Sequence, residues 1–225
     1  SEMDRDIAAT YGLETIDTLT GFKYISEWIK SFEETGDRSF LFGYEESYGY
    51  LIGDFVRDKD AIQTCLMIAE VAAYYKSKGK TLYEGLMALY ETYGYYYEDL
   101  VSLTLKGKDG LEQMATILAD FRNDPPKAFN GRNVLVMEDY QSRVRTFTDT
   151  GDKEDITLPQ SNVLKYKLEN DAWVCLRPSG TEPKIKFYFG VKEKSHQEGL
   201  KVIRGIKNAM MDRVDKVVQL HQEVW

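Results

Sequence analysis

The run Arg177-Pro178-Ser179-Gly180-Thr181-Glu182-Pro183 carries more chemistry than a connection between two strands requires. Arg177 offers a planar fork of donors that matches phosphate oxygens. Ser179 and Thr181 add hydroxyls, and Gly180 permits a tight path in which successive N–H groups line one concavity. Pro178 and Pro183 restrict their own φ angles and stiffen the run. These residue types suit a phosphate-holding loop. They also suit an ordinary rigid hairpin loop whose polar groups face water.

A second stretch, Phe42-Gly43-Tyr44-Glu45-Glu46-Ser47-Tyr48-Gly49-Tyr50, sets two carboxylates and a serine between glycines and aromatics. Carboxylates accept hydrogen bonds from vicinal hydroxyls, and serine donates or accepts. The stretch therefore fits a polyhydroxylated ligand, with a solvated acidic loop as the plainer alternative. A third, Arg57-Asp58-Lys59-Asp60, contains an Asp-x-Asp pair of a kind that ligates Mg²⁺. Acids at a helix start answer the macrodipole equally well, and that reading is preferred. No Walker A loop or G-x-G-x-x-G fingerprint is present, and His196 and His221 suggest no site.

These stretches need elements to position them. Helical spacing is expected over residues 3–11, 21–34, 59–78, 81–94 and 110–121, and from Ser195 onward. Thr81 with Glu84, and Ser195 with Glu198, have the spacing of capping boxes. Short strands are expected at 13–16 and 39–42, and the stretch 44–54 reads as a loop at the end of the second, where open α/β sheets bind ligands. In the second half, extended runs are expected at 99–105, 133–137, 144–148, 162–168, 172–176 and 184–191, with Asn170-Asp171 as a hairpin turn. In the last run Ile185, Phe187, Phe189 and Val191 share one face, and Lys184, Lys186 and Tyr188 the other. The closing helix should bury Leu200, Ile203, Ile206, Met210, Val214 and Val217. The boundary is placed at 98/99, giving domains 1–98 and 99–225. The expected fold class is α/β for the first, followed by α+β with a mainly antiparallel sheet flanked by helices. The first half offers helices but only two short strands, too little sheet for a complete doubly wound domain, so the chain reads as part of a longer protein.

Bulk properties narrow the partners. The 225 residues suffice for one large or two modest domains. With 37 acidic against 29 basic side chains the chain has a net charge of −8, which disfavours nucleic acid and anionic membranes. No apolar run approaches the roughly 20 residues of a membrane span. Cys65 and Cys175 lie in apolar segments without metal or redox spacing, so both are expected as small core residues in a reducing, cytoplasmic setting. With two histidines, a His-based metal site or a Ser/His/Asp triad is poorly supported.

Taken in order, three motifs resemble the α-D-phosphohexomutase family of phosphoglucomutases and phosphomannomutases, and the likeness covers essentially the whole chain as a C-terminal portion. Thr20-Gly21-Phe22-Lys23 is similar to a third-domain segment whose lysine approaches the substrate. Gly43-Tyr44-Glu45-Glu46-Ser47-Tyr48-Gly49 resembles the sugar-binding loop of that domain. Arg177 to Pro183, followed by Lys184-Ile185-Lys186, resembles the phosphate-binding loop of the last domain. The resemblance implies a partial third domain and a complete fourth. It implies interconversion of hexose 1-phosphate and hexose 6-phosphate through a phosphoserine enzyme and a glucose 1,6-bisphosphate-type intermediate. Lys23, Glu45 and Ser47 would hold sugar hydroxyls, while Arg177, Ser179, Gly180, Thr181 and Lys186 would hold the phosphate not being transferred. The family's phosphoserine loop and Mg²⁺ loop have no counterpart here, so serine, metal and the N-terminal domains are expected elsewhere in the same protein, and the chain alone is expected to be inactive. Tyr48-Gly49-Tyr50 departs from the Gly-His of many members, which leaves glucose against mannose open. The alternative from another class is a non-catalytic phosphosugar-binding module.

Overall fold

A computed structural model of the chain describes residues 2–105, 109–180 and 182–223. It divides between Tyr93 and Gly94 into two compact units.

The first unit contains helices α1 (Glu2–Thr10), α2 (Phe22–Thr35), α3 (Ala61–Ser77) and α4 (Leu82–Tyr93), and strands β1 (Phe42–Glu45) and β2 (Gly49–Ile52). The cores of α2 and of the hairpin meet in a small cluster of Phe22, Ile29 and Leu51, with Ile25, Phe40 and Val56 packed around it. α2 ends where Gly36 turns left-handed and returns its N–H to the Phe32 carbonyl, an αL stop. The capping box at α4 is reciprocal: Glu84 N–H donates to Thr81 Oγ1, and Thr81 N–H to Glu84 Oε2.

Three expectations for this unit are corrected. Residues 13–16 form no strand, because Leu13 N–H turns back to the Ala8 carbonyl. The strand expected at 39–42 begins instead at Phe42, which is exposed, and the expected 44–54 loop folds on itself as the β1–β2 antiparallel hairpin, with Glu45 opposite Gly49. The alternation Phe42, Tyr44 and Tyr50 produces this by stacking three rings on one side of the ribbon. Cys65 is exposed rather than buried, and no residue of α3 is buried.

The second unit is built on one sheet. Its strands are β3 (Tyr95–Thr104), β4 (Ala128–Phe129), β5 (Arg132–Asp139), β6 (Val144–Phe147), β7 (Lys153–Asp155), β8 (Leu164–Leu168), β9 (Trp173–Pro178) and β10 (Lys184–Glu193). Among the described residues they run in the order β3-β10-β9-β8-β5-β6-β7, with β4 on β5 and every neighbour antiparallel. The tyrosines 95–97 thus belong to β3, and β4 and β7 are strands too short for periodicity to reveal. Asn170 and Asp171 both have positive φ in the turn that joins β8 to β9, closed by Leu168 N–H donating to the Ala172 carbonyl at 2.7 Å.

Helices α5 (Asp109–Asn123) and α6 (His196–Glu223) pack together, and both lie against β10. Between them and the sheet sit Ile117, Phe121, Tyr166, Leu176, Ile185, Phe187, Phe189, Ile206 and Met210. Tyr166 is buried because its hydroxyl donates to the Phe121 carbonyl at 2.9 Å, satisfying both polar groups. Ser195 caps α6 through Glu198 N–H at 3.3 Å, as its spacing implied. Leu200 is exposed, unlike the rest of the expected stripe, and the first inward position is the buried Gly199. An antiparallel sheet with helices on one face leaves the other face open.

Phe187→Ala opens a cavity where β10 meets the helices and is expected to lower unfolding stability by about 3–5 kcal/mol. Leu100→Ala, at an exposed position of β3, should stay within about 0.5 kcal/mol. Urea unfolding followed by circular dichroism distinguishes the two.

Candidate phosphosugar-binding site

In the first unit the β1–β2 hairpin and the start of α2 bound a groove of about 760 Å³ lined by Gly21, Lys23, Ser26, Glu45, Arg57 and Lys59, among others. Two of the three expected sugar-binding residues, Lys23 and Glu45, therefore share one groove. Ser47 sits exposed in the 46–48 turn and is not among the lining residues.

Glu45 is at the end of β1, its side chain 9% exposed, and pairs with Lys59 Nζ, which is half-exposed. The hydrogen bond to Glu45 raises the Lys59 ammonium above its ordinary pKa, so Lys59 holds its proton firmly. This pair depends on Gly49. A Cβ there would lie 2.6 Å from Lys59 Cδ and 2.8 Å from Glu45 Oε1. The absence of a side chain opposite Glu45 is what lets the lysine reach across the ribbon.

Lys59 and Arg57 line the groove, although the sequence alone did not single them out. Only the acids of Arg57-Asp58-Lys59-Asp60 attracted attention, and those acids act locally. Asp60 is the N-cap of α3, accepting from Gln63 N–H at 3.0 Å, and Asp58 accepts from Lys59 N–H at 2.8 Å. Their carboxylates are engaged with backbone donors, an arrangement that does not fit a magnesium site. Among the described residues no group of three or more His, Cys, Asp or Glu side chains is placed to hold a metal ion. The Glu45–Lys59 link spans fourteen positions and exists only after the hairpin folds.

In the second unit Arg177 stands near the end of β9, directly across the sheet from Lys186 of β10. Like charges in that relation repel. The Arg177 guanidinium lies 6.0 Å from the Tyr188 ring centroid on the same face, within cation–π range. The connecting loop is closed by backbone bonds: Ser179 N–H donates to the Lys184 carbonyl at 2.7 Å, and Leu105 N–H donates to Pro183. Ser179 Oγ also accepts from Glu182 N–H at 3.3 Å. A Cβ on Gly180 would meet nothing within 4 Å, and its φ lies outside the left-handed region. A side chain at position 180 would therefore meet open space, and Gly180 does not adopt the left-handed conformation that only glycine takes easily. Thr181 lies outside the described residues.

The open face of the same sheet carries a second charge cluster. Glu138 of β5 is 2% exposed and receives Arg145 Nε at 2.8 Å, Tyr140 Oη at 3.2 Å and Lys167 Nζ at 3.4 Å. Burial pushes its carboxyl up, but Lys167, Arg145 and Lys165 outweigh burial and hold it below the ordinary carboxylate range.

The family profile described as "Phosphoglucomutase/phosphomannomutase, alpha/beta/alpha domain III" matches residues 1–93, and that described as "Phosphoglucomutase/phosphomannomutase, C-terminal domain" matches residues 100–203. The chain belongs to the phosphoglucomutase/phosphomannomutase family. It is 36% identical over 197 residues to a phosphoglucomutase of Staphylococcus haemolyticus, covering 88% of this chain and 35% of that protein. It is 38% identical over 192 residues to a phosphoglucomutase of Staphylococcus aureus, covering 85% and 34%. The chain thus spans about a third of the length of these curated relatives. A crystal structure of parafusin from Paramecium, titled a phosphoglucomutase in its open form, shares the fold over 97% of this chain and 36% of its own, with a TM-score of 0.61 at 17% identity.

The depressed Glu138 carboxyl has a consequence for acid stability. A folded-state pKa below the unfolded value contributes stability that is present above about pH 4.3 and is lost as pH falls through the folded value. Glu138→Gln lacks that proton linkage. Urea midpoints measured from pH 6 downward are therefore expected to fall less steeply for the variant than for the wild-type chain; parallel curves would remove Glu138 from the acid transition.

Proposed function

We propose that this chain is the substrate-gripping part of a phosphohexomutase that interconverts hexose 1-phosphate and hexose 6-phosphate, as the names of its Staphylococcus relatives suggest. The observation that carries the reading is Arg177 directly opposite Lys186 on neighbouring strands, where β9 leads into the Ser179-Gly180 loop, in a chain whose net charge is −8. Two cations held face to face at a loop mouth are stabilised by a dianion, and a phosphate monoester supplies one. Ser179 and Thr181 would add hydroxyl donors, and the guanidinium would take two phosphate oxygens at once.

Division of labour follows from the two units. The first unit would hold the sugar, with Glu45 accepting from ring hydroxyls and Lys23 and Lys59 donating to ring or phosphate oxygens. Ser47 would join them from the hairpin turn. The second unit would anchor the phosphate that stays in place. Anchoring both ends places the other phosphoryl group for transfer by a phosphoserine, and a bisphosphate intermediate must then be accepted in either orientation. The serine and the remaining domains would come from the same protein, acting in the cytoplasm. Magnesium, when bound there, would neutralise charge on the transferring group; the described residues of this chain do not fit it.

In the enzyme produced from the full reading frame, Arg177→Ala is expected to lower kcat/KM for glucose 1-phosphate by tenfold or more, about 1.4 kcal/mol of transition-state stabilisation. Unchanged kinetics would remove Arg177 from the site. The 225-residue chain alone is expected to show no turnover; glucose 1-phosphate isomerised by it would sink the proposed division of labour. Binding without turnover in the full reading frame would instead assign a non-catalytic phosphosugar-binding module.

A further inference from the structure

The turn that closes the β1–β2 hairpin holds a residue that its backbone does not suit. Glu45 and Gly49 face each other across the ribbon, so Glu46, Ser47 and Tyr48 form a three-residue loop. Tyr48 has φ +64°, in the left-handed region. A hairpin loop of this length favours glycine at that position, because a side chain there crowds its own backbone. Four other described residues besides glycine share a positive φ, and each has a reason. Asn130, Asn170 and Asp171 are types that tolerate it, and Arg143 ties its Nε to the Ile156 carbonyl at 3.0 Å. Tyr48 is 85% exposed, so packing within the fold does not offset its strain. A bulky aromatic residue held in a strained conformation and turned out to solvent serves something other than the hairpin.

We infer that Tyr48 is a specificity-determining residue for the sugar, its ring lying on the C–H face of a bound pyranose. The inference rests on the hydroxyl-binding reading of the β1–β2 groove proposed above. Tyr48 immediately precedes Gly49, the position whose missing side chain lets Lys59 reach Glu45 in that groove. Glu45 and Lys59 offer charge and hydrogen bonds to ring hydroxyls, but no flat apolar surface. A tyrosine supplies one, with an apolar ring and a polar tip. A pyranose has the same two-sided character, apolar on its C–H face and polar at its rim. When all its ring hydroxyls are equatorial, that face is flatter than when one is axial. Contact with the Tyr48 ring therefore favours glucose over mannose, whose 2-hydroxyl is axial.

Two substitutions in the enzyme produced from the full reading frame test it. Tyr48→Asn removes the ring and leaves a residue type that tolerates positive φ, whereas Tyr48→Phe keeps the ring. Tyr48→Asn is expected to raise KM for glucose 1-phosphate by about fivefold or more, and to lower its kcat/KM relative to that for mannose 1-phosphate by about threefold or more. Its melting temperature should equal or exceed that of the wild type, because strain is relieved and no packing is lost. Tyr48→Phe should stay within about twofold of wild type in both kinetic measures. An unchanged KM or an unchanged substrate ratio in Tyr48→Asn would overturn the inference. So would a melting temperature that falls together with activity, by making Tyr48 a structural residue. Glu45→Gln separates this inference from the reading beneath it: unchanged kinetics there would remove the sugar from the groove altogether, whereas a loss there with Tyr48→Asn unaffected would remove Tyr48 alone.

Discussion

The second unit depends on a single alternation along β10. Its ten residues pair on one side with the whole of β3 and on the other with β9, so its pleat is imposed on both neighbours. Ile185, Phe187, Phe189 and Val191 point to the helices and form the centre of the core. The residues between them, Lys184, Lys186 and Tyr188, face the other way, where Arg177 meets them. Core and candidate phosphate site are two faces of one strand, and a register slip of one residue would destroy both. The burial of four large apolar side chains therefore also determines that Arg177 and Lys186 stand opposite each other, despite their repulsion.

The first unit works on a different principle. It has a small core, a two-stranded ribbon and helices with large exposed apolar surfaces. A lone two-stranded hairpin is marginal in water, and here it is supported by α3 through Gln63 and by α2 through the Phe22–Leu51 cluster. Its chemical feature, the Glu45–Lys59 pair, is correspondingly conditional. It requires the hairpin to close, α3 to begin at Asp60, and position 49 to have no side chain. Glu45 is a carboxylate already occupied by an ammonium, so a hydroxyl donor entering this groove would exchange hydrogen bonds rather than fill an empty acceptor.

Legibility differed between the units for a physical reason. In the second unit, strands of five to ten residues with strict alternation, a turn of the Asn-Asp type and a Ser-x-x-Glu cap all carry local signals, and the corresponding elements stand where those signals place them. The misses there, β4 and β7, are too short to show a period. In the first unit the local signal misled. Residues 39–42 look like a strand because they are mostly apolar, and 13–16 because Leu13 and Ile16 bracket a short run, but strands need neighbours, and among the described residues of the first unit the pairing formed is β1 with β2. The glycine-punctuated stretch 44–54 looks like a loop because glycines break patterns. Gly49 sits instead within a strand, and makes room for a salt bridge.

Residue types alone marked the loop after β9 as suited to phosphate and the 42–50 stretch as suited to hydroxyls, each with a plainer alternative, and the three motifs in order pointed to the family that the comparisons show. Local period and capping alone determined most of the helices and the α+β character of the second unit. Pairings between residues distant in the chain needed the tertiary structure: Arg177 against Lys186, Lys59 across Gly49 to Glu45, and Glu138 beneath Arg145 and Lys167. Exposure needed it as well, since α3 and Cys65 have core composition and lie on the surface. The division has a simple cause. Propensity and period act over one or two turns of chain, whereas charge pairing and burial depend on which segments meet, and that is decided only when the sheet and hairpin have chosen their partners.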